Sequence, residues 1–172
     1  TGRAVDFDGS RTSDVYYSYP KYGKWSKAKN AGGAINTDLI EETCGISADG
    51  SNLFVYYDNY FGYEDIFMAE KKGKSYVKAT SAGKNINTGN IENSAAITPD
   101  KKYLIFAANR NNKDMDLFIS RKLPSGEWGT PENMGIVINT TYDEEYPYMA
   151  ADGKTLYFCS QGHKSMGGFD IF

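Results

Sequence analysis

The chain has 172 residues, with 19 Lys and Arg against 22 Asp and Glu, a formal net charge of −3, and one histidine. That length suits one domain or part of one, and an acidic balance argues against a nucleic-acid partner held through its phosphates. The 14 Tyr, 9 Phe and 2 Trp argue against disorder, and no apolar run approaches the ~20 residues of a membrane-spanning helix.

Taken in chain order, the first patterned segment is Asp6-Phe7-Asp8-Gly9-Ser10-Arg11-Thr12-Ser13-Asp14. Its oxygen-bearing side chains around a glycine suggest a calcium loop. It lacks the EF-hand order and the closing Glu, so it reads as a hairpin loop, and no metal site is expected. Asp14-Val15-Tyr16 then opens a motif that returns as Asp65-Ile66-Phe67, Asp116-Leu117-Phe118 and Asp170-Ile171-Phe172, at steps of 51, 51 and 54 residues. Repeats of this length are the mark of propellers, solenoids and arrays.

Further landmarks keep the same phase. After each of the first three motifs come an aromatic residue (Trp25, Tyr76, Trp128) and an Ile-Asn-Thr triplet carrying Asn36, Asn87 or Asn139. A Glu follows (Glu41, Glu92, Glu144), then an Asp that opens a turn (Asp49, Asp100, Asp152). Cut at the Asp motif, the chain forms one segment, 1–172, with units at about 14–64, 65–115 and 116–169, and 170–172 starts another.

Each unit predicts four short strands. The first covers Thr43–Ser47, Ser94–Thr98 or Tyr146–Ala150. It is rich in small residues (Gly45, Ala95, Ala96, Ala150), which suits an inner position where sheets converge. The second covers Asn52–Tyr56, Tyr103–Ala107 or Thr155–Cys159, and an Asp-Gly turn before such a run signals a hairpin. The third begins at the repeating Asp. The fourth, at Trp25, Tyr76 or Trp128, is polar and carries Pro131 in the last unit, as suits an outer edge. Gly and Asn interrupt every stretch, and no helical apolar stripe spans a unit. The expected fold is therefore all-β: a β-propeller segment of three four-stranded blades plus a partial one.

The Ile-Asn-Thr triplet, the Glu, the run Met149-Ala150-Ala151-Asp152-Gly153-Lys154-Thr155-Leu156-Tyr157-Phe158 and the closing Gly167-Gly168-Phe169-Asp170-Ile171-Phe172 resemble the WD40-like PD40 repeat of TolB-type propellers. The second unit departs most, with Pro99-Asp100-Lys101-Lys102 in place of Asp-Gly. The resemblance implies a bacterial envelope protein, periplasmic or outer-membrane-associated. Relatives of that kind include proteins with a peptidoglycan-binding OmpA-like domain, and Bacteroidetes proteins of gliding and type IX secretion.

Whole propellers have about 4–8 blades. Three inner strands, three outer strands and four Asp motifs read as part of a larger ring of about six blades. Two copies closing a ring, or exchange of terminal strands, are rival readings. Open blade edges invite homo-association.

Little in the chain looks catalytic. His163 is the sole imidazole, and no Gly-x-Ser-x-Gly elbow accompanies it. Cys44, Cys159 and His163 sit in different units or strands, which disfavours zinc, and the two cysteines read as small buried thiols. No cofactor and no enzymatic activity are expected. Residues repeated in every unit (Asn36, Glu41, Asp49, Asp65, Asn87, Glu92, Asp100, Asp116, Asn139, Glu144, Asp152, Asp170) serve the fold. Function belongs where units differ, chiefly in the aromatic loop with Tyr57, Tyr60, Phe61 and Tyr63. The favoured reading is a non-catalytic scaffold that docks protein partners in the envelope. Carbohydrate or peptidoglycan recognition through the aromatic loops, and an accessory domain of a larger hydrolase, are the alternatives.

Overall fold

The computed structural model describes residues 13–58, 64–110, 114–164 and 166–172, which contain β-strands and turns and no helix. At the N-terminal side, β1 (Tyr16–Tyr17) pairs with β4 (Lys29–Asn30), and β2 (Pro20–Lys21) pairs with β3 (Lys24–Trp25). The first full blade is β5 (Ile40–Ile46), β6 (Asn52–Asp58) and β7 (Glu64–Lys72), with β8 (Ser75–Tyr76) and β9 (Thr80–Ser81) both paired to β7. The second is β10 (Glu92–Ile97), β11 (Tyr103–Ala108), β12 (Asp116–Arg121) and β13 (Glu132–Asn133). The third has β14 (Glu144–Met149), β15 (Leu156–Ser160) and β16 (Asp170–Ile171). Every pairing is antiparallel.

Side chains that alternate along each strand face the two neighbouring blades in turn, as the period of two requires. Leu53 and Val55 join Val15, Ile35, Ala69 and Ala79 against the N-terminal half-blade. Phe54 and Ile66 face the other way and meet Leu104, Phe106, Phe118 and Trp128 of the second blade. On the far face of that blade Ala107 and Leu117 meet Phe158. The middle blade is thus covered on both faces, and Leu104, Ile105, Phe106 and Ala107 are buried in an unbroken run.

Two expected features differ. The first strand begins earlier than expected and contains the repeating Glu, because Glu41, Glu92 and Glu144 lie inside the ladder opposite Tyr57, Ala108 and Ser160. A register shift follows that Glu in each inner strand, at Thr43/Gly45, Glu92/Ser94 and Glu145/Tyr148. The outer strand is not one run. It breaks into short pieces because its backbone turns toward the preceding connection: Ala79 N–H donates to the Ala34 carbonyl, and the Trp128 carbonyl accepts from Asn85 Nδ2. In the second blade Trp128 keeps only a bridge to Lys122 before β13 resumes.

The inner strands approach closely beside Gly45. A Cβ there would sit 1.9 Å from the Ala95 carbonyl oxygen, so only glycine allows this spacing between β5 and β10. The next contact along the series is from the Tyr146 N–H to Ser94 Oγ at 3.0 Å, which ties β14 to β10.

Candidate functional site

The repeated residues build one device three times. Asn36, Asn87 and Asn139 each accept from the N–H and donate to the carbonyl of the residue after the repeating Asp: Val15, Ile66 or Leu117. The same amide nitrogen reaches Asn30, Ser81 or Asn133 on the outer strand. Asn30 and Asn133 in turn donate to Asp14 and Asp116, whereas the second motif has Ser81 at that place. Thr37, Thr88 and Thr140 donate their hydroxyls to Glu41, Glu92 and Glu144, which are almost wholly buried. Burial pushes the carboxyls of Glu41 and Glu92 above the ordinary range, and the threonine bonds offset part of that. Asp49, Asp100 and Asp152 accept bonds inside their own turns, which holds them below it. Asp65 is raised by burial, and Asp170 accepts the Met166 N–H.

Residues that differ between the units do related work. The carbonyl before each repeating Asn is bonded by Tyr57 Oη (to Ile35, 2.8 Å), by Arg110 Nη2 (to Ile86), and by His163 Nε2 (to Ile138, 2.9 Å). A carbonyl only accepts, so His163 carries its proton on Nε2. Its ring packs on Phe158 and Phe172. Arg110 also lies over the rings of Phe106 and Phe118, 3.9 Å from Glu92 Oε1. The only sequence signal for this shared role was position near the end of the second strand, since the three side chains have nothing else in common.

Tyr57 is half-buried, with its ring edge-on to Phe67 and its hydroxyl pushed up to about 12 by burial and by Glu41. Tyr60, Phe61 and Tyr63 lie outside the described residues, as does the Asp6 loop up to Thr12. Cys44 is buried and its thiol is raised by desolvation, but Cys159 is only half-buried, on the same face of β15 as the exposed Tyr157. Among the described residues no group of three or more His, Cys, Asp or Glu is placed to hold a metal.

A large apolar concavity lies where β1, β5 and β14 approach. It holds about 480 Å3 and is lined by Tyr16, Tyr17, Ile46, Tyr76, Tyr146 and Tyr148, with Cys44 and Leu53 at its floor. Tyr146 takes a positive φ of 52° at the register shift in β14, which turns its ring out of the sheet.

No known family model and no curated protein matches the sequence. Among solved structures, a putative TolB from Agrobacterium tumefaciens superposes with a TM-score of 0.55 at 14% identity, over 97% of this chain and 62% of that one. TolB from Acinetobacter baumannii gives 0.54 at 14%, over 97% and 47%. The fold is that of a TolB-type β-propeller. The chain spans less than two thirds of either TolB protein. No helix among the described residues is long and apolar enough to cross a membrane.

Proposed function

We propose that this chain is part of a non-catalytic propeller scaffold of the bacterial envelope, which docks protein partners in the groove between β1, β5 and β14. The groove itself carries the reading. Four tyrosine rings from two strands, β1 and β14, and a fifth from β8 surround one apolar hollow, and such a surface suits an apolar or aromatic peptide segment. The repeating polar residues are engaged in holding blades together, and His163 is taken up by a carbonyl and two phenylalanine rings. The TolB-type fold supports the envelope setting. So do the PD40-like motifs.

The test compares capture of envelope proteins by the wild-type chain and by Tyr148→Glu, which places a charge in the hollow. Loss of a specific protein partner with Tyr148→Glu is the expected result. A saturable response to muropeptides with no protein partner would replace this reading with glycan recognition. Turnover of a hydrolase substrate that depends on His163 would defeat the non-enzyme assignment.

A further inference from the structure

Charge is sorted by end across the sheets. The turns after each first and third strand share one end of the molecule, as the Tyr76 hydroxyl on the Gly50 carbonyl and the Lys71 N–H on the Ser51 carbonyl show. That end carries exposed Lys21, Lys24, Lys72, Lys74 and Lys101. Of its acids, Asp49, Asp100 and Asp152 are occupied within their turns and Asp100 also holds Lys102 at 3.6 Å, while Glu70 and Glu127 are exposed and are outnumbered by the lysines. The opposite end carries Glu42, Glu64, Asp65, Asp143 and Glu145. In the sequence, 15–37 holds four lysines and no acid, and 71–91 holds five and no acid, within a chain of net charge −3.

The β2–β3 hairpin stands out at the lysine-bearing end. It forms its own two-stranded sheet, and every residue from Tyr16 to Trp25 is exposed. Tyr22 is 94% exposed and Trp25 74%. Tyr22 occupies the first central position of its turn at φ 50°, followed by Gly23 at 73°, where Asn, Asp or Gly fit with less strain. Local turn chemistry therefore does not account for a tyrosine there. Exposed Trp and Tyr beside lysines is the chemistry of a membrane–water interface, where aromatic rings sit among headgroups and cations meet anionic lipid.

We propose that the β2–β3 hairpin and the lysine-bearing turns beside it dock this propeller on an anionic phospholipid surface, with Tyr22 and Trp25 at headgroup depth. The lysines are spread over successive sheets at one end. Such a spread matches the broad charge of a bilayer better than the confined charge of an acidic peptide. The docking is peripheral, and it does not depend on the groove.

Co-sedimentation with vesicles of phosphatidylcholine alone, and of phosphatidylcholine doped with phosphatidylglycerol, tests it directly at low and high salt. The chain should partition onto the anionic vesicles at low salt, with a blue shift of tryptophan emission. Trp25→Phe should abolish the shift, because Trp128 is already buried. The double variant Lys21→Gln/Lys24→Gln should lower partitioning about 25-fold, since each lysine near an anionic surface contributes about fivefold. Both variants alter exposed side chains, and circular dichroism checks that they stay folded. Absence of partitioning at low salt, equal partitioning onto neutral vesicles, or an unchanged double variant would overturn the proposal. Binding to soluble polyglutamate without binding to vesicles would make the partner an acidic protein, and sedimentation without vesicles would make it a second copy. Either outcome also overturns the lipid assignment.

Discussion

The carboxamide of Asn139 grips the backbone of Leu117 as a neighbouring strand would. Its Oδ1 accepts the Leu117 N–H at 2.9 Å, and its Nδ2 donates to the Leu117 carbonyl at 2.9 Å. Asn139 and Leu117 are both buried, so no water replaces these bonds if the side chain is lost. The connection between two blades is thereby fastened to the third strand of the first.

That bond pair needs a donor and an acceptor on the same side chain. Asn139→Asp should therefore destabilise as much as Asn139→Ala, by about 2–4 kcal/mol, because an oxygen would then face the Leu117 carbonyl. Asn36→Ala, at a more exposed site, should cost less. Urea unfolding midpoints with matched slopes measure both.

Gly45→Ala should cost about 3 kcal/mol or more, because the new methyl meets the Ala95 carbonyl and must drive β5 from β10. Gly33→Ala, where a Cβ meets nothing within 4 Å, is the control and should stay near neutral. Thermal unfolding of the two variants side by side makes the comparison.

Arg110 faces the buried Glu92 carboxylate and caps the Asn85 and Ile86 carbonyls. Arg110→Ala should destabilise by about 3–5 kcal/mol, much of it from leaving the Glu92 charge buried and unpaired. Adding Glu92→Gln should recover part of that loss. A double-mutant cycle gives the coupling directly, and strict additivity of the two changes would contradict the pairing.

The pH dependence follows from opposite shifts. Burial raises the folded pKa of Glu41 and Glu92 above the ordinary 4.5. Their contribution is fully present below 4.5 and is lost as pH rises through the raised folded values. Asp100 and Asp152 are lowered from 3.8, so theirs is present above 3.8 and lost as pH falls through the lowered values. The urea midpoint should therefore rise as pH falls from neutrality toward 4.5, and the turn aspartates should weaken the fold in stronger acid. Glu92→Gln should flatten the first of these limbs.

The blade pattern was legible because every interface between blades poses the same geometric problem. The same Asn, Glu and turn Asp solve it each time, at spacings that survive in the sequence. The outer strand was not legible as it stands. Its break near Val77 and Gly129 follows from hydrogen bonds to a preceding connection, and such tertiary bonds leave no periodic trace. The shared task of Tyr57, Arg110 and His163 was hidden for a different reason: three unrelated side chains reach the same type of carbonyl. Tyr57, expected in a recognition loop, places its hydroxyl on the Ile35 carbonyl and its ring edge-on to Phe67.

The central claim is that separate sheets pack face to face about a common centre, with inner strands that meet only at points. Nuclear Overhauser spectroscopy of the chain in solution tests it most directly. The account predicts cross-peaks joining Gly45 to Ala95 and Ser94 to Tyr146, with no amide ladder running between β5, β10 and β14. A continuous ladder of backbone contacts among those three strands, which would make them one sheet, would contradict it.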